Sequence, residues 1–300
     1  MENKYHSKVI IGTWSLSGDF GKISKKNVYS SLEQSLKKNF FEFDTAPTYG
    51  FGRIEAILSE ICKGDKRIKI NTKCGYNAFG TKSFDIEDIK KSIDQSLKKF
   101  EKINTIFLHN PRTEIKNWSL LIKLLLSYKK KKYINNIGIS LARDYHFDKK
   151  IMNSFDFLQD EINLLRPQAI TKLKNFKPKI MARSPLASGC LSEKLTIRSK
   201  FSKNDYRKSW LGNEIRLKNI LFQLEEIKKI TGKNLRSFSK MFLLNEKKIN
   251  KVIFGIKNSN HVNEIESDLK NLKIISQEKK KLILNLAKKN FNLPMNAKGY

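Results

Sequence analysis

Eight short apolar segments alternate with amphipathic, lysine-rich segments along the chain. The apolar segments are rich in β-branched residues and nearly continuous in hydrophobicity, which is typical of strands buried on both faces. They span residues 9–14, 40–46, 68–74, 103–109, 134–140, 155–162, 179–184 and 251–256. Helical spacing fills the gaps, as in 24–38, where Val28, Leu32 and Leu36 recur every four residues. Eight such units predict an α/β fold, a closed (β/α)8 barrel of the TIM type.

A doubly wound open sheet is the structural alternative, but it normally carries a glycine-rich GxGxxG loop after its first strand, and none is present here. No linker rich in proline, glycine or serine divides the 300 residues, so we interpret 1–300 as a single barrel domain. One longer irregular stretch, 187–213, follows the seventh predicted strand. In a barrel it would lie at the mouth, so we interpret it as a candidate lid over a ligand.

The chain carries 60 Lys and Arg against 29 Asp and Glu, a formal net charge of +31. This charge suggests binding to nucleic acid, but 50 of the basic residues are lysines that lie mostly on helical faces, and arginine, which reads base edges, is sparse. We therefore expect a small-molecule partner rather than nucleic acid. No apolar run reaches the roughly 20 residues of a membrane span, and no signal-peptide pattern is visible.

The three cysteines are odd in number and share no CxxC spacing, and the four histidines are scattered. We expect reduced thiols, a cytoplasmic location and no metal site. The expected assembly is a monomer or a small homo-oligomer.

Polar residues recur where the predicted strands end. Asp44, Lys73 and His109 end three consecutive strands, and Tyr49 follows the first of these closely. In a parallel barrel all such ends face one rim. An aspartate, a lysine and a histidine are rarely found together in a packed core. Such a group at one end of a barrel is typical of an active site. The placement predicts an active site at the C-terminal rim.

Ordered motifs extend this pattern over most of the chain. They are DTAPTYGFGRIE at 44–55, TKCG at 72–75, FLHNP at 107–111, IGIS at 137–140, QDEINLL at 159–165, ARSPLASG at 182–189 and FGIK at 254–257. The set resembles the aldo-keto reductase family. The resemblance implies a TIM barrel that uses NAD(P)H to reduce an aldehyde, ketone or sugar carbonyl to an alcohol, or runs the reverse reaction.

The resemblance also implies a catalytic tetrad of Tyr49, Lys73, Asp44 and His109. Tyr49 would be the general acid or base. A phenol ordinarily has a pKa of about 10, and the Lys73 ammonium would lower it. Asp44 would hold that ammonium, and His109 would orient the carbonyl by a hydrogen bond.

Cofactor contacts are implied at twelve positions, with Ser140 and Gln159 at the nicotinamide amide. The full set is Gly12, Thr13, Trp14, Ser140, Gln159, Arg183, Ser184, Leu186, Ser188, Gly255, Lys257 and His261. Leu141, Arg183 and Lys257 depart from the Asn, Tyr and Arg that are common in the family at these places. Lys257 can still bind a 2′-phosphate as a point charge, so we expect NADP(H) rather than NAD(H).

A second hypothesis keeps the fold and changes the role. A nucleotide-sensing regulatory or binding subunit would bind the cofactor and show little turnover. The motifs do not identify the substrate, because in this fold the loops at the barrel mouth determine which substrate binds. The short stretches at 111–116 and 292–300 favour an open mouth and a small carbonyl compound.

Overall fold

The computed structural model describes residues 5–112, 115–142, 148–232 and 234–290. Eight parallel strands form a closed barrel in chain order, with the last strand beside the first. The strands are β1 (Val9–Gly12), β2 (Glu42–Asp44), β3 (Lys69–Cys74), β4 (Ile103–His109), β5 (Ile134–Ser140), β6 (Phe157–Glu161), β7 (Lys179–Arg183) and β8 (Ile249–Gly255). The predicted TIM barrel is confirmed.

Helices occupy the stretches between strands, as the apolar spacing predicts. The α-helices are α1 (Lys25–Lys37), α2 (Arg53–Cys62), α3 (Ile86–Phe100), α4 (Trp118–Lys130), α5 (Lys149–Met152), α6 (Gln168–Leu173), α7 (Lys208–Leu211), α8 (Glu214–Thr231), α9 (Leu235–Leu244), α10 (Ser259–Lys270) and α11 (Gln277–Asn290). Ser24 begins α1 as expected, because its side chain accepts a hydrogen bond from the Asn27 N–H at 3.2 Å. None of the helices in the described ranges has the length and hydrophobicity that crossing a bilayer requires.

The barrel interior is filled by large apolar side chains directly beneath the rim. Ile10, Phe107, Phe157, Met181 and Ile253 form this cluster. Each of these residues lies two positions before a residue at the rim of the same strand. Side chains two positions apart point to the same face, so both point into the barrel.

A glycine makes room for one of these side chains. A Cβ atom on Gly138 would lie 2.4 Å from the Phe107 ring. The inward position on β5 must therefore stay empty for Phe107 to fill the barrel. The larger cluster lies between the sheet and the helices.

A polar layer closes the opposite, N-terminal end of the barrel. Lys251 donates from Nζ to Glu42 Oε2 at 2.6 Å, and Asn71 donates from Nδ2 to Glu42 Oε1 at 3.0 Å. Asn104 Nδ2 in turn donates to Asn71 Oδ1 at 2.9 Å. Four strands thus meet through one continuous set of hydrogen bonds, which satisfies polar atoms that the barrel buries.

Differences from the predicted elements are confined to ends and loops. β1 ends at Gly12, because Trp14–Leu16 turns into a 3-10 helix. The irregular stretch 187–213 contains the 3-10 turn Ala187–Ser192 and α7, both too short to give a hydrophobic period. Of the predicted helix 146–153, the structure has α5, and 143–147 lie outside the described residues. The tail 292–300 and the middle of 111–116 also lie outside them.

Candidate active site

Three of the predicted catalytic residues project from neighbouring strands at the C-terminal rim. Asp44 ends β2, Lys73 lies one residue before the end of β3, and His109 ends β4. Tyr49 lies in the turn between β2 and α2, where its N–H donates to Ala46 O at 3.1 Å. Its ring is stacked at 6.3 Å from the ring of Trp14, which follows β1. The barrel register thus brings distant sequence positions to one place.

The Lys73 ammonium lies at the centre of the site. Its Nζ donates to Asp44 Oδ1 at 2.7 Å, to Thr45 O at 2.8 Å and to Tyr49 Oη at 3.1 Å. An ammonium has three protons, and these three acceptors use all of them. Lys73 is 2% exposed and Asp44 4%, so the pair is screened little by solvent. The arrangement holds a fixed positive charge against the phenol oxygen.

A second chain of hydrogen bonds reaches Asp44 from the other side. Gln159 Nε2 donates to Asp44 Oδ2 at 2.9 Å, and Ser140 Oγ donates to Gln159 Oε1 at 2.9 Å. The Asp44 carboxylate accepts only, so it fixes which end of the Gln159 amide faces it. Ser140 and Gln159, both predicted to hold a nicotinamide amide, are therefore connected to the acid–lysine pair.

The protonation states follow from burial and charge. Burial raises the pKa of Tyr49 above its usual value, and although Lys73 acts in the opposite direction, it does not outweigh burial. Burial also works against the Lys73 charge, but Asp44 and Tyr49 together raise the pKa of Lys73. Burial, with Lys73 and Arg183 nearby, holds the pKa of His109 well below its usual value. At neutral pH the site contains a neutral phenol, an ammonium and a neutral imidazole.

Lys73 thus acts on the Tyr49 phenol in the expected direction, but burial outweighs it and the net shift of the pKa is upward. The sequence shows that a lysine lies near the phenol, but it does not show how completely the fold removes the phenol from water.

A cavity of about 710 Å³ opens above these residues. It is lined by all four predicted catalytic residues and by eleven of the twelve predicted cofactor contacts, namely Gly12, Trp14, Ser140, Gln159, Arg183, Ser184, Leu186, Ser188, Gly255, Lys257 and His261. Thr13 is the exception. It is fully buried, and its N–H and Oγ1 both donate to Asp44 O at 3.0 Å. Thr13 thus supports the backbone of Asp44 instead of lining the cavity.

Two loops meet at one side of the cavity, and sequence reasoning missed this contact. The Tyr206 N–H donates to Asp19 O at 2.7 Å, and Trp14 Nε1 donates to Asp19 Oδ2 at 2.7 Å. The Trp14 ring lies 4.8 Å from Phe20 and 5.1 Å from Tyr206. The stretch after β7 therefore packs on the loop after β1. The aromatic residues of both loops were the available signal.

The far end of the cavity is suited to an anion. Asn258 caps α10 by accepting a hydrogen bond from the His261 N–H at 3.1 Å. Both residues line the cavity, so the first turn of this helix faces it. A helix N-terminus carries a partial positive charge and free N–H donors. Lys257 adds an ammonium, which donates to Phe20 O at 2.5 Å.

Comparison with known proteins identifies the family. The family model described as the Aldo/keto reductase family matches residues 8–281. The chain belongs to the aldo/keto reductase family. An aldo-keto reductase of Pseudocercospora fijiensis (strain CIRAD86) is 32% identical over 84 residues, which cover 27% of this chain and 28% of that relative. The chain thus matches little more than a quarter of that relative's length.

Solved structures show the same fold. The glycerol dehydrogenase AKR11B4 from Gluconobacter oxydans superposes with a TM-score of 0.76 at 20% identity, over 96% of this chain and 94% of that chain. The aldo-keto reductase AKR11C1 from Bacillus halodurans gives a TM-score of 0.72 at 17% identity, over 93% and 91%. The resemblance seen in the motifs is confirmed at the level of family and fold.

An aldo-keto reductase uses a nicotinamide cofactor, and the cavity of this chain fits one. Its inner end presents the Ser140 and Gln159 side chains, whose remaining donors and acceptors suit a carboxamide. Its outer end presents cations and a helix N-terminus for phosphates. Across the described ranges no cluster of three or more His, Cys, Asp or Glu side chains could hold a metal ion.

Proposed function

We propose that this aldo-keto reductase reduces a carbonyl compound to an alcohol with NADPH, or runs the reverse reaction, and that Tyr49 transfers the proton. One observation carries the proposal. A single ammonium, on Lys73, bonds both Asp44 and the Tyr49 hydroxyl at the floor of a cavity large enough for cofactor and substrate.

A nicotinamide held beside Ser140 and Gln159 would supply a hydride to the carbonyl carbon, and negative charge would then develop on the carbonyl oxygen. Tyr49, protonated at neutral pH, gives its proton to that oxygen. The Lys73 charge stabilises the phenolate that remains, and Asp44 keeps the ammonium in place. Neutral His109 donates a hydrogen bond that orients the carbonyl.

The pH dependence follows from the raised pKa of Tyr49. Reduction needs the protonated phenol, and a raised pKa keeps the proton on the oxygen to higher pH. We expect kcat for reduction to stay level from about pH 7 to about pH 9, and kcat for alcohol oxidation to rise with pH over that range. Steady-state kinetics in both directions measures this. A loss of reduction centred near pH 7 would contradict the assignment.

Lys257 supports the preference for NADP(H). Three other cations at this end are paired with carboxylates: Arg207 with Asp205 at 2.7 Å, Arg236 with Glu264 at 2.6 Å, and Lys240 with Asp268. Within the described residues, the Lys257 ammonium bonds only to a backbone carbonyl, so its charge is not neutralised by a direct carboxylate contact. A phosphate on the adenosine ribose would provide the negative charge that neutralises this ammonium.

We therefore expect Lys257→Met to raise the Kd of NADPH by about tenfold and to change the Kd of NADH by less than about twofold. Titration of the dihydronicotinamide fluorescence gives both constants. Lys270→Met is the control, because Lys270 lies in the last turn of α10, at the opposite end of the helix that Lys257 precedes. An equal loss for both cofactors would show that Lys257 does not select the 2′-phosphate.

The remaining proposals concern the setting of the reaction. The barrel works as one domain over 1–300, in the cytoplasm, as a monomer or small homo-oligomer. Its partner is a small carbonyl or alcohol compound and not nucleic acid. This is supported by lysines that form ion pairs along helical faces, such as Lys218 with Glu214 and Lys228 with Glu225.

The test is oxidation of NADPH and NADH by the purified protein with a panel of small aldehydes, ketones and aldoses. Turnover that depends on the carbonyl compound is the expected result. Tight cofactor binding with no turnover across the panel would contradict the reductase and favour the nucleotide-sensing subunit.

A further inference from the structure

Arg183 is a charged residue of the cavity to which the mechanism gives no role. It ends β7, two positions beyond Met181 of the barrel interior, so its side chain points into the mouth of the barrel. Its Nη2 donates to Leu141 O at 3.1 Å, and Leu141 directly follows Ser140. The side chain is partly exposed and lines the cavity. The guanidinium is thus fixed at the inner end of the cavity, beside Ser140.

The carboxylate nearest to Arg183 lies away from the cavity. Arg183 Nη1 is 3.9 Å from Glu161 Oε2, which is longer than a charge-assisted hydrogen bond. Glu161 is buried and does not belong to the residues that line the cavity. The other charges at this end, on Asp44 and Lys73, compensate each other at 2.7 Å. A ligand in the cavity therefore contacts the Arg183 cation and not the Glu161 carboxylate.

The charge of Arg183 acts on the groups that would meet the substrate. Burial is the main influence on the pKa values of Tyr49 and His109, and Arg183 lowers both, as a nearby cation does. Hydride transfer requires the nicotinamide ring to touch the carbonyl that these two residues hold. A cation that acts on Tyr49 and His109 would therefore act on that ring as well. Arginine keeps its charge throughout the physiological pH range.

The two forms of the cofactor differ in charge only at the nicotinamide ring. The oxidised ring carries a positive charge, whereas the reduced ring is neutral. A cation beside the ring raises the free energy of the oxidised form and leaves that of the reduced form almost unchanged. The phosphates are common to both forms, so contacts with Lys257 and with the first turn of α10 affect both forms equally.

We propose that Arg183 makes the site select the reduced cofactor over the oxidised one. In a mixture of NADPH and NADP+ the site then holds mainly NADPH, and its working direction is carbonyl reduction. After each turnover the repulsion favours release of NADP+. The inference rests on the proposed function, because it concerns the cofactor of the same site.

The test is calorimetric titration of the protein with NADPH and with NADP+, without a carbonyl compound. The measured quantity is the Kd of NADP+ divided by the Kd of NADPH. We expect this ratio to be about ten or more in the wild type and about two or less in Arg183→Gln. Glutamine keeps an N–H donor for Leu141 O and removes the charge. The wild-type ratio should stay constant from about pH 6 to about pH 8, because arginine does not titrate there.

Three further variants separate the charge from its surroundings. Arg183→Lys keeps the charge and should keep most of the ratio. Arg67→Gln removes one charge at an exposed residue outside the cavity and should leave the ratio unchanged. The double variant Arg183→Gln/Glu161→Gln leaves no unpaired Glu161 carboxylate, so it tests the ratio even if Arg183→Gln alone folds poorly.

The outcomes separate the two proposals. The inference is overturned if the wild type binds NADP+ as tightly as NADPH, or if the ratio persists in the double variant. It is also overturned if Arg183→Lys loses the ratio as fully as Arg183→Gln, because the shape of the side chain and not its charge would then matter. If neither cofactor binds, the proposed function itself fails. If the ratio behaves as expected but no carbonyl compound is reduced, the cofactor selection stands and the reductase fails.

Discussion

Tyr49→Phe is expected to lower kcat/KM for carbonyl reduction by about a thousandfold and to leave the Kd of NADPH within about twofold. The change removes the hydroxyl that would give up the proton and keeps the ring that packs on Trp14 at 6.3 Å. The variant should therefore fold and bind cofactor normally. Steady-state kinetics and a fluorescence titration of the cofactor measure the two quantities.

Tyr133→Phe is the matched control, because it makes the same replacement at an exposed ring. It should behave as the wild type in both measurements. Retention of more than about a tenth of the activity in Tyr49→Phe would exclude Tyr49 as the proton donor.

Lys73→Met is expected to lower kcat/KM by about a hundredfold or more, and also to lower the free energy of unfolding by about 3–5 kcal/mol. The second effect arises because Asp44 is buried and would lose the cation that compensates its charge. Kinetics and urea denaturation measure the two effects separately.

The double variant Asp44→Asn/Lys73→Met separates catalysis from stability. Neutralising Asp44 as well should restore most of the lost stability, because no unpaired charge stays buried, and should restore none of the activity. Lys218→Met is the control for removing a lysine. Its ion pair with Glu214 is exposed, so the change should cost less than about 1 kcal/mol. If Lys73→Met alone had the free energy of unfolding of the wild type, Lys73 would not be compensating a buried charge on Asp44.

Much of the site was predictable because strand ends are visible in a sequence. Asp44, Lys73 and His109 each lie at or next to the end of an apolar strand, and a parallel barrel brings such ends to one rim. The strand pattern fixed the fold class for the same reason. The motifs then assigned roles to residues whose positions the pattern had already placed.

What could not be predicted depends on contacts between distant loops and on burial. The hydrogen bond from Tyr206 to Asp19 joins segments that have no common sequence pattern. The pKa of Tyr49 depends on how far the phenol is removed from water, which only packing decides. Thr13 is buried against the Asp44 backbone and does not line the cavity. The 3-10 turn that follows it at Trp14–Leu16 is too short to give a hydrophobic period.

The polar layer at the base of the barrel bears on how the chain assembles. Lys251 reaches Glu42 across 209 positions, from the last strand to the second. A partly formed barrel of the early strands would enclose the Glu42 carboxylate without its cation, and such a charge is costly. Half-barrels therefore lack the cation that compensates Glu42 until the final strand arrives, so closure of the ring should be a late and stabilising event in assembly.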